Sequence, residues 1–238
     1  HIPFCKQACH YCDFHFSTNL KSKPDLVAAI CQEIELQKDY LPTRTLETVY
    51  FGGGTPSLLT ASELGQIFET IHRIYHVQPN AEITLEANPD DLTFAKLLTL
   101  KPFINRLSIG IQSFHEPYLR FMNRAHTAAE SASCVKLAQD SGFENLTIDL
   151  IYGMSEKLLG MQPSSEISGE DLWQRDLEKA VDLNTPHISA YNLTIEPQTA
   201  LGNWLKKGKI KAVEEELSAH QFEQMTAYLN ANHYEQYE

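Results

Sequence analysis

The chain has 238 residues, 42% of them hydrophobic and 10% aromatic, with a formal net charge of −12 from 19 basic and 31 acidic residues. This is a globular composition rather than a disordered one, and its acidic excess disfavours a phosphate backbone, so no nucleic-acid partner is expected. No run approaches the ~18 consecutive apolar residues of a membrane span, and a chain of this size buries roughly 70–75% of its unfolded surface without disulfide staples.

Short apolar runs alternate with longer amphipathic stretches. A first strand is expected over 2–4, and a helix over 25–40 carries Leu26, Ile30 and Ile34 at helical spacing. A strand over 48–51 precedes a helix over 61–75, which Ser57 or Thr60 can cap, Thr60 with Glu63 three residues on as a capping box. Strands over 82–87 and 106–111 flank a shorter helix over 91–100. The helix over 127–141 stops at Gly142. A nearly continuous apolar strand over 146–151 follows, as a strand buried on both faces requires. The pattern continues with a helix over 172–183, a strand over 187–193 and a last helix over 213–232. Strand then helix, repeated, predicts an α/β fold of parallel strands joined by crossovers. Both an open doubly wound sheet and a barrel fit the periodicity, and the motifs below lean toward a partial (β/α) barrel. A core domain is expected over 1–197, with 198–238 opening a second, truncated domain.

Three of the five cysteines, Cys5, Cys9 and Cys12, lie within eight residues. The odd total and the clustering favour metal ligation in a reducing compartment, the cytoplasm, over a disulfide framework. Cys31 and Cys134 fall inside helical patterns and are expected in the core. Three thiolates spaced C-x3-C-x2-C can hold three irons of a [4Fe–4S] cubane and leave the fourth open to a chelator such as the amino and carboxylate groups of S-adenosylmethionine. The alternative is a closed zinc site made by the same cysteines and His15.

Gly52-Gly53-Gly54-Thr55-Pro56 follows the second strand. Three residues without Cβ allow close approach to a ligand, and equally a tight strand-to-helix turn. Glu86 ends the third strand, where a carboxylate can accept two ribose hydroxyls or simply face solvent. The cysteine loop, the glycine turn, Glu86 and Gln112 all fall at C-terminal ends of strands, which share one face of a parallel barrel.

The cysteine spacing is that of the radical S-adenosylmethionine superfamily, and the chain resembles its oxygen-independent coproporphyrinogen III oxidase and HemW-type heme chaperone group. The resemblance covers residues 1 to about 197 in His1-Ile2-Pro3-Phe4-Cys5, Tyr50-Phe51-Gly52-Gly53-Gly54-Thr55-Pro56, Leu85-Glu86-Ala87-Asn88-Pro89, Arg106-Leu107-Ser108-Ile109-Gly110-Ile111-Gln112-Ser113-Phe114, Asn123-Arg124-Ala125-His126 and Ile148-Asp149-Leu150-Ile151-Tyr152-Gly153. It implies that Gly53, Gly54 and Thr55 hold the amino group of S-adenosylmethionine, that Glu86 holds its ribose, and that Tyr11 packs near the adenine. Gln112, Arg124 and Asp149 match positions that contact a second S-adenosylmethionine in the oxidase; Arg124 and Asp149 also read as a structural ion pair.

Phe14 stands where the oxidase resemblance calls for a further cysteine, and Cys12-Asp13-Phe14 is similar to the chaperone branch. The resemblance thus implies a heme chaperone that carries heme as cargo to heme-accepting proteins; the alternative is radical decarboxylation of coproporphyrinogen III propionates in porphyrin biosynthesis. The branch's downstream heme motif is not in this sequence, and none of His72, His76, His126, His187 and His233 is assigned as a heme ligand. Met154-Ser155 stands where the family carries proline, and the polar stretch 155–171 reads as an inserted surface loop.

Overall fold

A computed structural model describes residues 1–155, 157–160 and 169–237. Strands β1 (Thr45–Phe51), β2 (His76–Ala87), β3 (Arg106–Gln112), β4 (Asn145–Tyr152) and β5 (His187–Asn192) form one sheet in the order β1-β2-β3-β4-β5. Every neighbouring pair is parallel, and the sheet curls into a partial barrel, the expected architecture. The helices are α1 (Lys23–Leu36), α2 (Ala61–Ile74), α3 (Phe94–Leu100), α4 (Glu116–Phe121), α5 (Ala128–Asp140), α6 (Gly169–Asp182), α7 (Ala200–Lys206) and α8 (Glu215–Ala231).

The strands' period of two separates the sheet's faces. Leu85, Leu107, Ile109, Ile111, Leu146, Ile148 and Leu150 join the main core, packed with helix residues such as Leu64, Leu97, Val135 and Leu177. Their alternates, Glu86 on β2, Arg106 and Ser108 on β3 and Asp149 on β4, give the opposite face its polar character. The expectation that β4 is buried on both faces holds: Leu146, Ile148 and Leu150 are covered on the helix side, and Thr147 and Ile151 are buried on the other, where Asp149 is the polar exception. A second core joins Tyr118 and Leu119 of α4, and Met122 just after it, to Ile151, Met154, Leu193 and Leu201 near the C-terminal ends of the strands.

Local signals act as their chemistry dictates. Thr60 and Glu63 make the expected capping box on α2, and Thr127 with Glu130 makes a second on α5. Gly142 ends α5 with φ +84°, its N–H bonding Gln139 O at 2.8 Å and the following Phe143 N–H bonding Ala138 O at 3.1 Å. Residues 2–4 are not a strand of the sheet: Ile2 bridges Gly53 and Phe4 bridges Ser17, each as an isolated contact. Most of the 155–171 stretch lies outside the described residues. Leu158 within it is buried in the second core.

Candidate functional site

Parallel strands bring the glycine turn after β1, Asn88 after β2 and Ser113 after β3 to one rim. The cysteine loop is tied to that rim by backbone bonds. Ile2 N–H bonds Gly52 O at 2.8 Å and Gly54 N–H bonds Ile2 O at 2.9 Å, so loop and turn are one unit. A Cβ on Gly54 would lie 2.8 Å from Phe4 O and 3.0 Å from Cys5 Sγ, so only glycine fits against this thiol.

Side chains anchor the rest of the loop. Lys6 pairs with Asp90 at 2.8 Å and also with Asp91. Gln7 donates to Asn123 Oδ1 at 2.8 Å, while Asn123, at φ +57°, donates to Ala8 O at 2.7 Å. His10 bonds Phe121 O at 2.7 Å and meets the Trp204 ring edge-on at 4.6 Å. Leu201 N–H donates to His10 O at 3.0 Å, so α7 also supports the loop.

All five cysteines are free thiols. Burial pushes the Cys5 and Cys12 thiols up, each further raised by neighbouring cysteines, against the Thr55 hydroxyl bond at Cys5 and the Phe14 N–H bond at Cys12. Arg124 donates to Cys9 Sγ at 3.4 Å, to Tyr11 Oη at 3.4 Å, to Asn88 Oδ1 at 2.7 Å and to Gly110 O at 2.7 Å. No ion pair joins Arg124 to Asp149 among the described residues, so that alternative is corrected: backbone and neutral acceptors take the guanidinium. Tyr11 packs against the second core, and burial drives its phenol pKa upward.

Among the described residues no three His, Cys, Asp or Glu side chains converge closely enough to hold one metal ion. A cubane places each protein sulfur on a different iron, so its ligands stand wider apart than those of a single ion. Three mutually interacting thiols, a cationic donor on Cys9 and a glycine left bare at Cys5 make a donor set that fits such a group.

Glu86 Oε1 accepts from Tyr50 Oη at 2.9 Å and Oε2 from Gly53 N–H at 3.0 Å. Asp149 lies on the same polar face. Burial and then the nearby Glu86 raise its pKa to about 7, against a Ser189 hydrogen bond. Gln112 ends β3 at φ +68°. The next residues are pinned by buried Asp176, which accepts from Ser113 Oγ at 2.7 Å and Phe114 N–H at 2.8 Å. His126 bonds Ile111 O at 3.0 Å, and burial, aided by Arg124, lowers its pKa to about 4; it serves the fold as a neutral ring. Cys134 is buried in the main core, as expected. Sequence reading missed Lys6, Tyr50, Asn88, Asn123, Asp176 and Trp204; of these, Tyr50, Asn88 and Asn123 stand inside the motifs and so carried a signal.

The Radical SAM superfamily model matches residues 1–158. The chain is similar to the heme chaperone HemW of Lactococcus lactis, 34% identical over all of this chain and 59% of that protein. It is also similar to the HemW of Bacillus subtilis, 33% identical over all of this chain and 61% of that protein. The chain thus spans about three fifths of these relatives' length. Among solved structures it resembles coproporphyrinogen III oxidase HemN from Escherichia coli, with a TM-score of 0.83 at 24% identity over 99% of this chain and 52% of that one, a likeness of fold.

Proposed function

This chain belongs to the radical S-adenosylmethionine superfamily, and from that premise we propose that it is the cluster-bearing part of a heme chaperone. Cys5, Cys9 and Cys12 would hold a [4Fe–4S] cluster, with Gly53, Gly54, Thr55 and Glu86 holding S-adenosylmethionine beside it. When bound, the cluster supplies the electron that breaks the sulfonium carbon–sulfur bond of S-adenosylmethionine. The observation that carries the reading is the locking of the cysteine loop to the glycine turn through Ile2, with Gly54 bare against Cys5.

The chain's own groups prepare that site. Arg124 supports Cys9 from one side and Thr55 bonds Cys5 from the other. The Gly53 N–H bond to Glu86 ties the amino-acid end of the ligand site to its ribose end. Gln112, Arg124 and Asp149 lie within this polar region and are proposed as further ligand contacts; Tyr11 is proposed to act beside the adenine. Free thiols suit a reducing compartment, and we place the protein in the cytoplasm. No described helix is long and apolar enough to cross a membrane.

Heme is proposed as cargo, passed to heme-accepting proteins. Phe14, 72% exposed, follows the cluster loop where the oxidase chemistry calls for a thiol. The test uses the full-length protein, reconstituted anaerobically. Stable heme uptake without decarboxylation of coproporphyrinogen III, with dithionite and S-adenosylmethionine present, is the expected result. Production of protoporphyrinogen would replace this reading with the oxidase.

A further inference from the structure

We propose that Tyr50 is a positioning residue for the nucleoside half of the ligand, fixing the Glu86 carboxylate so that its remaining lone pairs meet the two ribose hydroxyls. This deepens the proposed function, because it rests on Glu86 as the ribose acceptor.

Tyr50 and Phe51 are adjacent in β1 and point to opposite faces. Phe51 is buried in the main core, whereas Tyr50 is 55% exposed on the polar face. A tyrosine so exposed has no packing reason to hold one orientation. Its hydroxyl nevertheless donates to Glu86 Oε1 at 2.9 Å, across to the neighbouring strand. Glu86 Oε2 is taken by Gly53 N–H at 3.0 Å. Each carboxylate oxygen therefore has one fixed donor. A carboxylate offers about four lone-pair sites, which leaves about two for a vicinal diol.

Gly52 supplies an independent sign that this contact is built in. A Cβ there would stand 2.8 Å from Tyr50 Cε1 and 3.0 Å from Glu86 Oε1. The first glycine of the turn thus clears space for the Tyr50–Glu86 pair, while Gly54 clears space at Cys5. A carboxylate held at both ends is oriented before the ligand arrives, so less ordering is charged to binding.

The test is calorimetric titration of the anaerobically reconstituted full-length protein with S-adenosylhomocysteine and, separately, with methionine, which lacks the ribose. Tyr50→Phe is expected to weaken S-adenosylhomocysteine about 5- to 10-fold, the worth of one ordinary hydrogen bond, and to leave methionine unchanged. Combined with Glu86→Gln, the Tyr50→Phe substitution is expected to add nothing. Equal affinities for wild type and Tyr50→Phe, an equal loss for methionine, or full additivity with Glu86→Gln would overturn the proposal. Glu86→Gln without effect would instead remove the ribose role of Glu86, a failure of the proposed function and a separate outcome.

Discussion

Asp176 is the place to break the site from a distance. It is 1% exposed on α6, and its two oxygens take Ser113 Oγ at 2.7 Å and Phe114 N–H at 2.8 Å, with His115 Nε2 3.3 Å away. Burial raises its pKa, and His115 and these two donors hold it down in part. Asp176→Ala leaves a hydroxyl and a backbone N–H facing an apolar interior. At roughly 1–3 kcal/mol for each buried unpaired group, less the relief of no longer burying a carboxylate, the net loss is about 3 kcal/mol. For a chain of this size that lowers the melting temperature by about 6–12 °C. Asp176→Asn keeps an acceptor for Phe114 N–H and offers Ser113 a donor, so its loss is expected to stay below about 1 kcal/mol. The knot also holds the residues that follow Gln112, whose φ of +68° needs support from its surroundings. The alanine variant is therefore expected to bind S-adenosylmethionine more weakly than the asparagine variant. Thermal melts followed by circular dichroism, with titrations on the same samples, decide the matter. Equal melting temperatures for wild type, Asn and Ala would refute the reasoning.

Gly54→Ala places a methyl 2.8 Å from a backbone carbonyl and 3.0 Å from Cys5 Sγ, and is expected to abolish iron incorporation in an otherwise folded chain, read by iron assay beside circular dichroism. Asp149, which faces Glu86, Ser189, Arg124 and Arg106, has a folded pKa of about 7, above its unfolded value, so its stabilising contribution is full at low pH and is lost as pH rises through about 7. Melting temperatures of Asp149→Asn are expected to fall less than wild type between roughly pH 4 and 7. Thr127→Ala removes the capping oxygen that accepts Glu130 N–H at 3.3 Å and is expected to cost about 1 kcal/mol with iron content unchanged, measured by urea denaturation and iron assay.

Strand and helix order was legible because it rests on local periodicity, and caps such as Thr60 and stops such as Gly142 act within a few residues. Residues 2–4 look like a strand by composition but find partners only at Gly53 and Ser17. The first half of β2 was hidden by Pro79 and Asn80, which read as a turn. They sit in an irregularity where pairing jumps from Leu46–Val77 to Thr48–Glu82. Helices α4 and α7 span only 6 and 7 residues, too short to show a period. In the site, contiguous motifs pointed to the cysteines, the glycine turn and Glu86. Their supports were illegible because each contact joins distant positions: Lys6 with Asp90 across 84 residues, Arg124 with Cys9 across 115, Ser113 with Asp176 across 63.

The most direct test of the three-thiolate site is iron and acid-labile sulfide analysis after anaerobic reconstitution, with electron paramagnetic resonance of the reduced protein. About four irons per chain, a signal that changes when S-adenosylmethionine is added, and loss of both in each of Cys5→Ala, Cys9→Ala and Cys12→Ala are expected. A colourless protein carrying one zinc, or a cluster that survives all three substitutions, would contradict the assignment.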